Sequence, residues 1–403
     1  MTTSRAVVIG SGIGGLTAAA ALHRTGWQVT VLERAPSLEP IGAGISLAPN
    51  SQRALDVIGI GDEVRSLAAW QGDGGMRTPS GRWLARTDSA AAAERFGGPL
   101  VLLRRSALID LLRARLPEDA VRTGTPARLV DPGHAGGSPA LVGTDDGDIE
   151  ADLVVGADGI GSAVRTALFP RHPGPAYSGF TTWRVLAHAV GHAFSSHETW
   201  GRGALWGSHP LKDGGVYAYA AAAVPAGARA ADDEKAELVR RYGDWHDPIP
   251  AIIDAVEPDQ VLRHDVYHLA DPLPSFHRGR TVLVGDSAHA MVPFLGQGGN
   301  QAVEDGVVLA HHVMPDGDLG AGVAAYSAAR HPRTTAMVRK AAQVSRMTGL
   351  TSAPAVALRN GLMSTVSRFG PGLVLRTFDG ICDWQPPQRT YAAVTRQGQT
   401  TQP

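Results

Sequence analysis

Two glycine-rich segments, far apart in the chain, carry most of the chemistry legible in this sequence. The first runs Ala6-Val-Val-Ile-Gly10-Ser-Gly12-Ile13-Gly14-Gly15 and is followed, after a second apolar run, by Glu33 and Arg34. Gly10, Gly12 and Gly15 stand at G-x-G-x-x-G spacing. That spacing permits a tight turn, close approach of backbone to a pyrophosphate, and close helix–strand packing. A helix opening at this turn offers free N–H groups and a positive dipole end to phosphates. Glu33 would end the second strand, placed to accept hydrogen bonds from an adenosine ribose. The chemistry predicted is dinucleotide binding. The second segment, Val284-Gly285-Asp286-Ser287-Ala288-His289-Ala290-Met291-Val292-Pro293-Phe294-Leu295-Gly296-Gln297-Gly298-Gly299-Asn300, joins an acidic residue to a glycine loop that leads into a helix-like stretch.

These segments need elements to position them. Residues 5–9 read as a strand, 14–25 as an Ala/Leu-rich helix and 28–32 as a second strand. Gly42 to Asn50 reads as a loop into a short helix, Ser51–Ile58, and residues 100–115 carry apolar positions at helical spacing. Residues 139–156 predict a hairpin and a strand, followed by Asp158-Gly159 and a helix bearing Arg165. Short alternating runs fill 173–271, with a hairpin turn at Lys212-Asp-Gly-Gly215. A buried parallel-type strand is expected at 280–285, helices over 301–349, then a helix and a polar tail. The fold class expected is α/β: a Rossmann-like βαβ parallel sheet with an inserted antiparallel-sheet domain and C-terminal helices. Residues 1–70, 99–172 and 272–345 would form the dinucleotide domain, 71–98 and 173–271 the substrate domain, and 346–403 the C-terminal segment.

Composition narrows the class. A chain of 403 residues can bury a large core. Its net charge of −1 gives no footing for nucleic acid or an anionic membrane surface. The single cysteine, Cys382, excludes an internal disulfide and a cysteine-built metal centre, and the histidines form no cluster at ligand spacing, so no metal is expected. Residues 6–22 have apolar character, but their glycines and the strand that follows argue against a signal peptide. No apolar run is long enough to span a bilayer, and a cytoplasmic location is expected. Gly285-Asp286-Ser287-Ala288-His289 lacks the second glycine of a nucleophile elbow.

Over about residues 4–345 the three ordered motifs resemble the single-component flavoprotein aromatic hydroxylases, the family typified by p-hydroxybenzoate hydroxylase. The compact salicylate and 3-hydroxybenzoate hydroxylases are the most similar members. The resemblance implies non-covalent FAD, NADH or NADPH as co-substrate, O2, and hydroxylation of an aromatic or phenolic substrate through a flavin C4a-hydroperoxide, in a monomer or homodimer. Gly10, Gly12, Ile13, Gly14, Gly15, Glu33 and Arg34 would then bind the ADP half. Arg105 resembles an arginine reaching the ribityl or phosphate region, with Arg104 as an adjacent alternative. Asp158, Gly159 and Arg165 resemble a segment serving the FAD pyrophosphate and the pyridine nucleotide, and Asp286 the carboxylate on the ribityl chain. Pro293, Gly296, Gln297, Gly298, Gly299 and Asn300 resemble the loop around the pyrimidine side of the isoalloxazine. Two positions depart from the pattern. Ala290 stands where relatives commonly have proline, and Phe294 where several have a polar or acidic side chain.

The substrate would lie against the inserted sheet. Trp183, Trp206, Tyr217 and Tyr219 are candidate lining residues, Arg184 and His209 candidate polar groups, and Phe294 a candidate apolar wall. Each aromatic also reads as ordinary sheet core, and His289 reads as a residue packing its loop. Epoxidation, natural-product tailoring, flavin reduction without oxygen insertion, and a silent flavin-binding role are the alternatives on the same fold.

Overall fold

In a computed structural model, residues 4–38, 43–70, 73–188, 190–191, 193–368 and 375–388 are described. Gly42, residues 71 and 72, and the polar tail beyond 388 lie outside them.

Strand Arg5–Ile9, helix Ile13–Arg24 and strand Gln28–Leu32 form the expected βαβ unit. The sheet extends through Leu153–Gly156 and Thr281–Leu283 on one side and Val121–Arg122 on the other, all parallel. A short strand, His277–Arg278, adds an antiparallel edge. These strands are near-continuous apolar runs because helices cover one face of the sheet and a three-stranded antiparallel sheet, Ala127–Asp131, Ala140–Thr144 and Gly147–Ala151, packs against it as well, which leaves no solvent side for alternation to mark. Helix Gly298–His312 packs directly on helix Ile13–Arg24. A β-carbon on Gly306 would sit 2.7 Å from the Ala18 nitrogen, so the two backbones touch where small residues face each other.

The second sheet has seven strands, ordered Leu262–His268, Ala176–Ala187, Val216–Ala223, Ala204–Pro210, His197–Trp200, Gly74–Arg77 and Trp83–Thr87. It is antiparallel except where His197–Trp200 runs parallel to Gly74–Arg77. Its outer face carries Trp183, Val185, Trp206, Ala218 and Ala220, packed on Leu238, Tyr242, Ile249 and Ile252. Its inner face carries Phe180, Leu205 and Ala221, packed on Met291, Val292 and Phe294 of the second motif. A three-stranded sheet, Gly44–Leu47, Val101–Arg104 and Ala69–Trp70, closes the seam.

Several elements differ from expectation: Gly44–Leu47 is a strand where a loop is expected, and helices Glu234–Tyr242 and Ile249–Asp254 stand within the region of alternating runs. The helix after the Gly42 loop spans Pro49–Val57, with proline in its first turn. Residues 101–104 form a strand, and the helix begins at Arg105. The strand was hidden because all of Val101, Leu102 and Leu103 are buried, so no alternation separates them from the helical pattern of Leu108 and Leu112.

Candidate active site

The site is assembled from loops at the carboxyl ends of the parallel strands. Gly10 sits at φ +105°, and a β-carbon there would lie 2.4 Å from the Ala157 carbonyl oxygen. A β-carbon on Gly15 would lie 2.1 Å from the Gly10 carbonyl oxygen. These two glycines make the turn itself possible. Gly12 differs: it has nothing within 4 Å of its β position, so packing within the chain does not require a glycine there and its backbone is open to approach. Gly14 packs on Ala302, and Ile13 is buried.

Glu33 stands at the end of its strand and closes the turn. Its Oε2 accepts from the Ser11 amide at 2.9 Å and the Ser11 hydroxyl at 2.6 Å, and its Oε1 accepts from the Ala35 amide at 2.9 Å. Burial alone would raise its pKa, but the hydrogen bonds from Ser11 and Ala35 outweigh it and hold the carboxyl below its usual range. Arg34 points outward and is exposed.

Asp158 latches the middle motif to the second. Its carboxylate accepts from Ser162 and, at 3.2 Å, from the Ser287 hydroxyl, while the Val164 amide donates to it at 3.1 Å. The Gly159 amide donates to Ser287 Oγ at 3.1 Å. Arg165 is buried and donates to the Ser287 carbonyl at 3.2 Å and the Ile160 carbonyl at 2.7 Å. The expectation that Arg165 reaches a phosphate is therefore corrected here: its guanidinium faces inward and ties two loops together.

The second motif turns at Gly285, φ +61°, into a short helix, Asp286–His289. The exposed Asp286 carboxylate forms no hydrogen bond among the described residues. Across from it lies Arg105, whose guanidinium also has no hydrogen-bond partner among them. Burial lowers the Arg105 pKa, nearby Asp286 opposes that shift, and Arg184 reinforces it. Arg104, the alternative, is committed elsewhere, donating to Asp213 at 2.8 Å in the hairpin turn. A strand end at residue 104 sends the two neighbouring side chains in different directions.

Helix Gly298–His312 begins inside the glycine loop, so its first N–H groups face the cleft. Gly296 takes φ +64°, and the β position of Gly298 has only Met291 nearby, at 3.8 Å. Pro293 is exposed at the start of the 3-10 turn Pro293–Leu295. The side chains of Gln297 and Asn300 point into the protein, which corrects any direct contact with a cofactor through them. Asn300 accepts from the Ala48 amide at 2.8 Å and the Ser51 hydroxyl at 2.5 Å, and donates to the carbonyls of Ser46 and Gly296 at 3.0 and 2.7 Å. Gln297 Oε1 accepts from Asn50 and Gln301, both at 3.2 Å.

Beneath this loop lies a buried ion cluster that sequence reasoning missed. Arg330 donates to Glu304 and, at 2.7 Å, to Asp305, while Arg333 donates to both oxygens of Glu304 at 2.8 and 2.9 Å. Asp305 Oδ2 accepts from the Gly285 amide at 2.8 Å and pairs with His289 Nε2 at 2.5 Å. Its signal was present: two adjacent acids, the only ones in their helix, and two arginines three residues apart. His289 is thus a packing residue of its loop.

On the inner sheet face, strand register groups Arg184, Tyr219 and Gly207 in one row and Leu186, Tyr217 and His209 in the next. Tyr217 leans toward the cofactor side: a β-carbon on Gly44 would lie 2.6 Å from its ring. Tyr219 leans across Gly207 and donates to Glu198, which also accepts from Trp200 Nε1 at 2.8 Å. His209 stacks on Tyr219 with ring centroids 5.3 Å apart, and its Nδ1 pairs with Ser196 Oγ at 2.6 Å. Burial, helped by His197, pushes its imidazole down to about 3, and its Nε2 is buried without a partner among the described residues. Phe294 is half-buried, edge-on to Phe180 with centroids 4.8 Å apart.

Trp183 and Trp206 are corrected. Both lie on the outer face, Trp183 donating to Glu234 at 2.7 Å and Trp206 packed at a tilt against Tyr242 with centroids 5.3 Å apart. Period-2 alternation requires this once Arg184 and His209 face inward.

The cleft fits FAD on three observations: the open β position of Gly12, the helix N-terminus at Gly298, and the facing, unbonded charges of Arg105 and Asp286. No helix among the described residues is long and apolar enough to cross a membrane, and no group of potential metal ligands is found among them.

Comparison with known proteins gives the same reading. The family model described as "FAD binding domain" matches residues 3–341. The aurachin C monooxygenase/isomerase of Stigmatella aurantiaca is 35% identical over 371 residues, covering 91% of this chain and 96% of the relative. A 3-amino-4-hydroxybenzoate 2-monooxygenase of Streptomyces platensis is 33% identical over 376 residues, covering 90% and 93%. The crystal structure of Klebsiella pneumoniae HpxO with FAD and uric acid superposes with a TM-score of 0.84 at 27% identity, covering 94% of this chain and 96% of that one. A cradle with space for a dinucleotide, joined to a sheet whose inner face meets it, is therefore that of the FAD binding domain family, to which this chain belongs as an FAD-dependent monooxygenase.

Proposed function

We propose that the chain hydroxylates an aromatic ring carrying an acidic oxygen, bound between the inner sheet face and the Pro293–Gly299 loop. One observation carries this reading. Arg184 stands on the inner sheet face one row from Tyr217, near enough to Arg105 for the two guanidinium charges to interact, and has no carboxylate partner among the described residues. A guanidinium held so close to a second one favours an anion between them. Relatives named for urate and for 3-amino-4-hydroxybenzoate, both rings with acidic oxygens, support the substrate class.

Bound FAD supplies acceptance of a hydride from NAD(P)H and activation of dioxygen. The protein's residues supply position and electrostatics. Arg184 orients the substrate anion, and Tyr217 and Tyr219 flank it. The N-terminus of helix Gly298–His312 stabilises negative charge that develops beside it. His209, neutral at physiological pH, offers a hydrogen bond through Nε2 and does not act as a charged acid. Phe294 excludes water from the reacting edge.

The test is NAD(P)H oxidation by the holoenzyme across a panel of phenolic acids, heteroaromatic acids and their methyl esters with every other acidic oxygen also methylated. Stimulation by the acids and its loss with the esters is expected. Arg184→Met should raise KM for the acids at least about tenfold, the effect of losing one charge-assisted pair of roughly 1.5–3 kcal/mol. Equal stimulation by acids and esters, or an unchanged KM in Arg184→Met, refutes the assignment.

A further inference from the structure

Helix Ala353–Arg368 turns an apolar stripe to the outside. Leu358, Leu362 and Val366, at i, i+4 and i+8, are 66%, 59% and 44% exposed. Single exposed apolar side chains are ordinary on a protein surface, whereas a contiguous row of them marks a surface that something covers. Ala357, Gly361 and Thr365 form the adjoining row, also exposed. Met347, near the end of the preceding helix, Leu319–Thr348, is 43% exposed. The opposite side of the helix is fixed to the protein. Arg359 is buried and donates to the Met347 and Gly201 carbonyls, both at 3.1 Å, and Met363 packs on the cluster that also holds Phe294.

The charge around the stripe has one sign. From Leu319 to Phe378 the chain contains no acidic residue. Arg346 and Arg368 are exposed and have no hydrogen-bond or ion-pair partner among the described residues. They stand toward opposite ends of the helix, and the exposed Arg202 donates to the Thr351 carbonyl at 2.9 Å just before it begins. The net charge of −1 conceals this stretch, because acids elsewhere in the chain balance it.

Stripe and rim together select what covers them. Two copies pairing through the stripe in antiparallel fashion would set the Arg346 end of one against the Arg368 end of the other. Parallel pairing would set each arginine against its own counterpart, and neither arrangement offers a carboxylate. A nucleic acid would engage the arginines and leave the leucines in water. A bilayer with anionic headgroups takes both, since leucines enter the acyl boundary while guanidiniums meet the phosphates. We infer that helix Ala353–Arg368 is a docking surface for an anionic lipid bilayer. No helix among the described residues is long and apolar enough to cross a membrane, so this one lies along the surface.

Cosedimentation of the holoenzyme with vesicles tests this, using phosphatidylglycerol and phosphatidylcholine in equal parts against phosphatidylcholine alone. Binding to the mixed vesicles, and much weaker binding to the neutral ones, is expected. Arg346→Gln with Arg368→Gln should weaken it by at least about tenfold, at roughly fivefold per arginine, and added salt should act in the same direction. Leu358→Gln with Leu362→Gln should weaken it by at least about tenfold through lost apolar burial. Melting temperature and lipid-free NAD(P)H oxidation should stay at the parent's values, and Leu362→Gln alone serves if the double variant does not fold. No binding to the mixed vesicles, or binding unchanged in a folded leucine variant, overturns the inference. So does a concentration-dependent dimer in analytical ultracentrifugation that the leucine substitutions break, because the stripe then belongs to a second copy.

Discussion

Replacing Arg330 by methionine asks how much of the cofactor loop is held by charge rather than by its glycines. The Arg330 side chain is 1% exposed, and the carboxylates of Glu304 and Asp305 are fully buried. Burial alone would lower the Arg330 pKa, but the two carboxylates more than offset it and hold the guanidinium charged. Without Arg330, Glu304 keeps Arg333 and also the Asn50 amide at 2.7 Å. Asp305 keeps only His289 and the Gly285 amide, so one buried carboxylate loses its arginine. Orphaning a buried charge costs about 3–5 kcal/mol, and the two surviving hydrogen bonds place this case near the low end, about 3 kcal/mol. That is a large share of a typical total of roughly 5–15 kcal/mol. Urea denaturation of parent and variant measures it. Adding Asp305→Asn to Arg330→Met removes the orphaned charge and should restore about 1 kcal/mol or more. Because Asp305 also fixes the Gly285 turn, Arg330→Met should weaken FAD retention as well. A loss below about 1 kcal/mol, or a double variant no more stable than the single one, would refute the idea that charge in this cluster holds the loop.

Three further outcomes follow from the same geometry. Gly12→Ala should fold like the parent yet lose FAD affinity, because its β position is open and its φ of −64° suits any residue, whereas Gly15→Ala should be unstable or insoluble; equal behaviour of the two in melting and FAD-titration experiments would contradict the distinction. Phe294→Ala should cost only about 1–2 kcal/mol, less than a fully buried phenylalanine, while H2O2 released per NAD(P)H consumed rises; a large stability loss with unchanged coupling would assign Phe294 to the core. His209→Gln should reduce acid sensitivity. The folded imidazole titrates near 3 and the unfolded one near 6.5, so the parent binds fewer protons folded than unfolded in that window and loses stability as pH falls through it. Parallel stability–pH curves for parent and His209→Gln between pH 6.5 and 4 would disprove the burial of that ring.

The cofactor cradle was legible because its requirements are local. A turn that must pass Gly10 and Gly15 at backbone distance writes glycine at fixed spacing, and a strand end writes Glu33 at the next strand's close. The loop's anchoring was less legible. Glu304 and Asp305 are visible as the only acids of their helix, but their partners Arg330 and Arg333 lie on a separate helix, and nothing local announces the pairing. Gln297 and Asn300 read as cofactor contacts because they stand among the loop glycines, yet backbone direction turns both side chains inward. The sheet gave the sharpest lesson. Both of its faces are covered, so Trp183 and Arg184, or Trp206 and His209, cannot be sorted by polarity alone. Alternation still required that Trp183 and Arg184 oppose each other, and that Trp206 and His209 do the same. Arg104 and Arg105 were separable only once the strand was seen to end between them.

The most direct test of the account is isotopic. With a stimulating aromatic acid, NAD(P)H and 18O2, the holoenzyme should yield a product carrying one 18O atom per molecule, with the second oxygen atom released as water and little H2O2. NAD(P)H consumption that returns all oxygen as H2O2, or a product that takes its oxygen from solvent, for every aromatic acid that stimulates flavin reduction, would contradict it.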